Sequence, residues 1–185
     1  MRAAVVYESL FGNTREIAEA VSDGIRTARP EAEVVCLPVT EASTDLVQLD
    51  LLVVGAPTQF LGMTSERTRA MQVRYARSAA QQGHAAPAQE PAAGGDGVRG
   101  WLSGLPGAAR GTPAAAFDTR LDKPLAGGAA PRIARRLRRC GYALAADPEG
   151  FIVADMAGPL RAGERGRAQA WGAALVERVS ALARG

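Results

Sequence analysis

Short apolar runs alternate with helical periodicities along this chain. Residues 3–7 (AAVVY), 33–37 (EVVCL), 51–55 (LLVVG), 113–117 (PAAAF) and 151–154 (FIVA) show little polar alternation and are bounded by Gly, Pro or Asp. Runs of that kind suit strands buried on both faces, as in a parallel sheet covered by helices. Between the first two, Ile17, Val21 and Ile25 recur at four-residue steps with Ala18 and Ala28 alongside, while Arg15, Glu16, Glu19, Asp23 and Arg26 fall mostly elsewhere. One face of that helix is apolar. Residues 131–140 repeat the pattern, with Ile133, Leu137 and Cys140 set against Arg132, Arg135, Arg136, Arg138 and Arg139, and a last helix carries Trp171, Leu175, Val179 and Leu182. Strands alternating with helices predict an open α/β sheet.

Residues 79–100 (AAQQGHAAPAQEPAAGGDGVRG) break the rhythm, because they are small, polar and interrupted by Pro and Gly. They read as a long, flexible loop between the helix after the third strand and the fourth strand. Residues 97–105 (GVRGWLSGL) predict one helical turn that docks Trp101 and Leu102. His84, the single histidine, lies in the loop with no carboxylate partner in view and is a poor catalytic candidate.

Composition narrows the classes. A chain of 185 residues with 47% apolar content can bury one sizeable core, so residues 1–185 are expected to form a single domain. Cys36 and Cys140 are far apart and form no CxxC pair, so neither a disulfide framework nor a metal site is expected. The net charge is only +3 and aromatics are 5%, a poor match to the clustered charge and stacking surface of a nucleic-acid binder. The opening MRAAVVYE is too soon interrupted by Glu8 to be a signal-peptide apolar region, and no run approaches the roughly 18 apolar residues of a membrane span. A cytoplasmic location is the expectation.

The candidate chemistry lies at the strand ends, where open parallel sheets place their ligands. After the first strand comes YESLFGNTREIA, residues 7–18. Asn13 with Glu16 three positions on has the shape of a capping box, which places a helix start at or just after Gly12-Asn13-Thr14. Free amides and the dipole at such an end favour an anion, to which Ser9, Asn13 and Thr14 add donors. The same residues also suit an ordinary cap and turn, and at this point both readings stand. The triphosphate pattern G-x-x-x-x-G-K-[ST] and the dinucleotide pattern G-x-G-x-x-G are absent.

Y-E-S-L-F-G-N-T resembles the phosphate loop of the flavodoxin-like FMN-binding family, T/S-x-T-G-x-T. It is similar to the variant found in flavodiiron proteins and in FMN-dependent quinone reductases of the tryptophan-repressor-binding type. Phe11 stands where plain flavodoxins carry a Thr, so one hydroxyl to the phosphate is missing. Gly55-Ala56-Pro57-Thr58 reads as a rigid turn after the third strand, and the stretch through Phe60, Gly62 and Met63 resembles the flavin-bordering segment of the quinone-reductase branch; a helix start follows at Thr64 or Ser65. Asp118-Thr119-Arg120 falls where the family has its second flavin loop, with Phe117 in the core at the strand end, and the stacking Tyr of plain flavodoxins is absent.

The resemblance implies a flavodoxin-like sandwich: a five-stranded parallel sheet of order 2-1-3-4-5 with helices on both faces; the fifth strand of this sequence carries no insertion, which fits the short-chain plan. It implies FMN contacts at Ser9, Leu10, Phe11, Gly12, Asn13 and Thr14, at Pro57, Thr58, Gln59 and Phe60, and at Asp118, Thr119 and Arg120. No catalytic residue and no metal ligand is assigned. The expected role is electron transfer to a redox partner protein or a small-molecule acceptor. The rivals are an NAD(P)H-dependent FMN quinone reductase and a flavin-free interaction module of the same fold. The arginines of residues 131–140 read as a solvated face or as a surface for an acidic redox partner. A phospho-receiver would want an acid at the end of the third strand, where Gly55 and Ala56 stand.

Overall fold

Each apolar run becomes a strand. In the computed structural model, which describes residues 1–44, 48–59, 62–63, 70–71, 74, 97–108, 111–122, 128–155 and 157–183, the order is β1 (Arg2–Tyr7), α1 (Asn13–Ala28), β2 (Glu33–Pro38), β3 (Leu51–Gln59), β4 (Gly62–Met63), α2 (Gly97–Gly104), β5 (Pro113–Leu121), α3 (Ala129–Arg139), β6 (Ala143–Leu144), β7 (Glu149–Val153) and α4 (Glu164–Leu182). The main sheet runs β2-β1-β3-β5, with β6 and then β7 on the outer edge of β5. All these pairings are parallel; β4 alone turns back antiparallel on β3. With the fifth strand counted once, this is the expected order 2-1-3-4-5.

That fifth strand comes in two pieces, β6 and β7, with only residues 145–148 between them and no long insertion, as expected. Ala114 pairs with Leu144 and Phe117 with Glu149, so three steps along β5 face five along its partner, and residues 145–148 carry the excess. Pro148, which has no N–H to give a ladder, closes the gap.

Alternation along the buried strands divides the core in two. Ala3, Val5, Leu51, Val53, Ala115 and Phe117 pack under α1 and α4; Ala4, Val6, Leu52, Val54, Ala114 and Ala116 pack under α2 and α3. Ile17, Val21 and Ile25 are fully buried, as are Ile133, Leu137 and Leu175. Phe117 meets Phe151 and Trp171 edge to face at centroid distances of 6.1 and 6.3 Å. Leu182 differs from its expected place on the packed stripe and is exposed at the end of α4. Gly24 and Gly172 bring α1 and α4 into backbone contact: a Cβ at Gly24 would lie 2.0 Å from the Gln169 carbonyl oxygen, and one at Gly172 would lie 2.2 Å from that of Val21.

Of the segment 79–100 expected as a loop, residues 97–100 are helical. They open α2, which makes two turns rather than one and buries Trp101 and Leu102. Residues 79–96, with His84, and the helix start at Thr64 or Ser65 lie outside the described residues. Among the described residues no helix is long and apolar enough to cross a membrane.

Candidate functional site

The first strand stops where its chain must turn into α1, and Gly12 makes the turn. Its φ of +87° is left-handed, a conformation that costs a side chain about 1 kcal/mol or more. Gly12 therefore precedes the first helical residue, and the expected capping box does not form: Asn13 is already helical, no side chain caps the helix, and Asn13 Nδ2 donates to the Ala157 carbonyl at 3.1 Å. Ser9 Oγ accepts from the Gly12 amide at 3.1 Å, and Glu16 N–H closes the first helical bond on the Gly12 carbonyl at 2.9 Å.

Among the described residues the amides of Leu10, Phe11, Asn13 and Thr14 are left without a hydrogen-bond partner. Leu10 and Thr14 are buried. Unmet donors buried at a helix N-terminus call for an acceptor, and the dipole there favours a negative one. This donor set fits a phosphate. Thr14 Oγ1 is hydrogen-bonded to Thr119 Oγ1 at 2.8 Å, so the loop after β1 and the end of β5 are joined directly.

The other two segments are strands where turns are expected. β3 continues through Gly55, Ala56, Pro57 and Thr58 to Gln59, and β5 continues through Asp118, Thr119 and Arg120 to Leu121. Gly55 serves clearance rather than a turn, since the Phe117 ring lies where its Cβ would be. Pro57 is tolerated because pairing with β1 ends at Gly55 and leaves that edge of β3 open. Phe60 lies outside the described residues, as does the side chain of Gln59.

Thr58 and Asp118 have a structural role that no sequence pattern around them signals. Thr58 Oγ1 accepts from the Ala129 amide at 2.8 Å and Asp118 Oδ2 from the Ala130 amide at 2.9 Å, so two strands jointly cap α3. Gly128, which stands at the cap position with no side chain of its own, is the sequence signal that a partner must come from elsewhere. Asp118 is fully buried. Burial pushes its carboxyl above the ordinary aspartate value; the Ala130 amide, the Arg120 guanidinium and the Thr58 hydroxyl offset this only in part. Its Oδ1 accepts no hydrogen bond and faces Arg120 Nε at 3.6 Å. A second buried acid, Glu8, accepts from the Val98 amide at 3.0 Å and caps α2 in the same way. Helices α2 and α3 thus both start on carboxylates supplied by the strand ends.

The structure brings Ser9–Thr14 together with Thr119, and Thr58 together with Asp118 and Arg120, at neighbouring carboxyl ends of β1, β3 and β5.

Comparison with known proteins bears on the whole arrangement. Residues 5–82 match the flavodoxin family model. No curated protein matches the chain by sequence. A flavodoxin from the domain Archaea is 21% identical and superimposes with a TM-score of 0.63, covering 97% of this chain and 99% of its own. Flavodoxin 1 from Bacillus cereus, in its oxidised form, is 16% identical at a TM-score of 0.63, covering 96% of this chain and 98% of its own. The flavodiiron protein from Giardia intestinalis is 20% identical at a TM-score of 0.56, with 99% of this chain aligned to 37% of that longer one. At such identities the structural likeness speaks for the fold. Taken with the match over residues 5–82 and the strand order, it shows that this chain has the flavodoxin-like α/β fold.

Proposed function

We propose that this protein binds FMN without a covalent bond and works as an electron carrier. The observation that carries the reading is the set of unmet amides at Leu10, Phe11, Asn13 and Thr14 around the left-handed turn of Gly12. Those amides and the Ser9 and Thr14 hydroxyls would hold the phosphate, and no lysine is needed because the helix end supplies the positive potential. The ends of β3 and β5, from Pro57 to Gln59 and from Asp118 to Arg120, would border the ring. When bound, FMN supplies the ability to take up and release electrons; the chain orients it and limits its exposure to water. The capping bonds of Thr58 and Asp118 to α3 fix the separation of those two strand ends, which is a positioning role. The match to the flavodoxin family model and the fold of the structural relatives support this reading.

The visible spectrum of the purified protein tests it. Flavin bands, with FMN released on acid denaturation, are expected. A colourless protein that leaves the fluorescence of added FMN unchanged would favour the flavin-free scaffold. Mixing the FMN-loaded protein with NADH or NADPH and a quinone separates carrier from reductase: the carrier reading predicts that the flavin is not bleached.

A further inference from the structure

The described arginines differ in their surroundings: Arg120 faces the buried Asp118, and Arg74, Arg138 and Arg178 have no acidic partner among the described residues and stand outside the groove that α2 and α3 form. Arg2, Arg15, Arg26, Arg29, Arg161, Arg165 and Arg167 each lie within ion-pair distance of an acidic side chain. Arg99, Arg132, Arg135, Arg136 and Arg139 have no such partner among the described residues, and they line one open groove of about 240 Å³ between α2, α3 and β4. Its remaining walls among the described residues are Met63, Leu102 and Ser103, and none of the described lining residues is acidic. Two of the guanidinium groups are steadied from behind: Arg99 Nη2 donates to the Met63 carbonyl at 3.1 Å and Arg136 Nε to that of Leu102 at 3.4 Å.

Like charges gathered on one face repel one another, and among the described residues no acidic neighbour relieves them. We propose that this groove is the docking surface for a protein partner that presents a carboxylate-rich face. Arg132, Arg135, Arg136 and Arg139 occupy positions i, i+3, i+4 and i+7 of α3 and form a stripe about 10 Å long. Guanidinium forks spread over that length match several carboxylates carried on one surface. A nucleotide fits less well: among the described residues no aromatic side chain lines the groove to stack a base, and the Ser103 hydroxyl donates to the Arg99 carbonyl at 3.0 Å.

Position gives the surface its purpose. Met63 pairs with Thr58, and Thr58 receives the Ala129 amide one turn before Arg132. The groove therefore begins beside the candidate cofactor site, where a docked partner would be within reach of it. That purpose rests on the electron-carrier reading; the charge itself does not.

The test measures binding of a strongly acidic [2Fe–2S] ferredoxin, used as probe, to the protein with and without added FMN. At low ionic strength the probe is expected to bind, to weaken as salt rises, and to lose about tenfold or more in affinity to the pair Arg135→Gln and Arg139→Gln. Arg26→Gln with Arg29→Gln, which removes the same charge from another face, is expected to change affinity less than threefold. Equal losses in the two pairs would show that net charge alone governs and would overturn the proposal. So would stronger binding of a basic cytochrome c, or displacement of the probe by micromolar tripolyphosphate, which would mark a small-anion site. Failure of FMN to bind while the probe still binds through Arg135 and Arg139 would sink the flavin reading and leave the docking surface standing.

Discussion

On one side of the sheet α1 and α4 meet backbone to backbone across Gly24 and Gly172, and three of their arginines, Arg15, Arg26 and Arg165, are matched by Glu19, Asp23 and Glu16, while Arg178 stands without an acidic partner among the described residues. On the other side α2 and α3 leave between them a groove lined by arginines that have no acidic partner among the described residues. Both sides bury similar apolar strand faces, so core packing does not explain the contrast. The first side is closed for stability. The second is held by buried carboxylates that reach from the strand ends to the starts of α2 and α3, which ties its helices to the candidate site.

The largest effect that separates the two sides is steric. Gly172→Ala puts a methyl group 2.2 Å from the Val21 carbonyl oxygen and is expected to cost about 3 kcal/mol, read as a lowered midpoint in urea. Gly104→Ala in α2, whose nearest atom is Thr44 Cγ2 at 3.7 Å, should leave stability unchanged or raise it by up to about 1 kcal/mol. Similar losses at the two positions would erase the distinction.

Why the sequence shows one side better than the other follows from which forces are local. Ile17, Val21 and Ile25 announce α1 because a buried helical face repeats within the helix itself, whereas the need for glycine at Gly24 exists only once α4 lies against it. The strand ends misled for the same reason. Gly-Ala-Pro-Thr is a turn by local chemistry, and only the Phe117 ring over Gly55 and the open edge at Pro57 make it strand. Asn13 with Glu16 has the letters of a capping box, but the left-handed Gly12 moves Asn13 into the helix. The site was legible as three loops at three strand ends. The capping of α3 by Thr58 and Asp118 was not, because its recipients lie 71 and 12 residues further along the chain.

Asp118 offers the next sharpest comparison, with pH as the variable. Its carboxyl lies above the ordinary value of 3.8 in the folded protein, so the folded state holds the proton more tightly than the unfolded state does. The stability it contributes is therefore full below that ordinary value and falls as pH rises through the raised one. Asp118→Asn should remove this fall while keeping an acceptor for the Ala130 amide. Urea midpoints over a pH series check it: wild type should lose ground to the variant as pH rises, and parallel curves would contradict the shift.

Surface charge gives the smallest effect. Arg26→Gln breaks an exposed pair with Asp23 and should cost at most about 0.5 kcal/mol. Arg135→Gln with Arg139→Gln breaks none and relieves repulsion, so thermal unfolding at low salt should shift upward slightly or stay unchanged. A clear loss there would mean that the groove arginines support the fold.

The grip of the loop after β1 on a phosphate is central to the proposed function, and comparing FMN with riboflavin isolates that one group. Titrated by quenching of flavin fluorescence, FMN should bind about 100-fold or more tightly than riboflavin, a difference of about 2.7 kcal/mol. Gly12→Val, which forces a branched side chain into a φ of +87°, should collapse that ratio towards one. Equal affinities for the two flavins in the unaltered protein would contradict the claim.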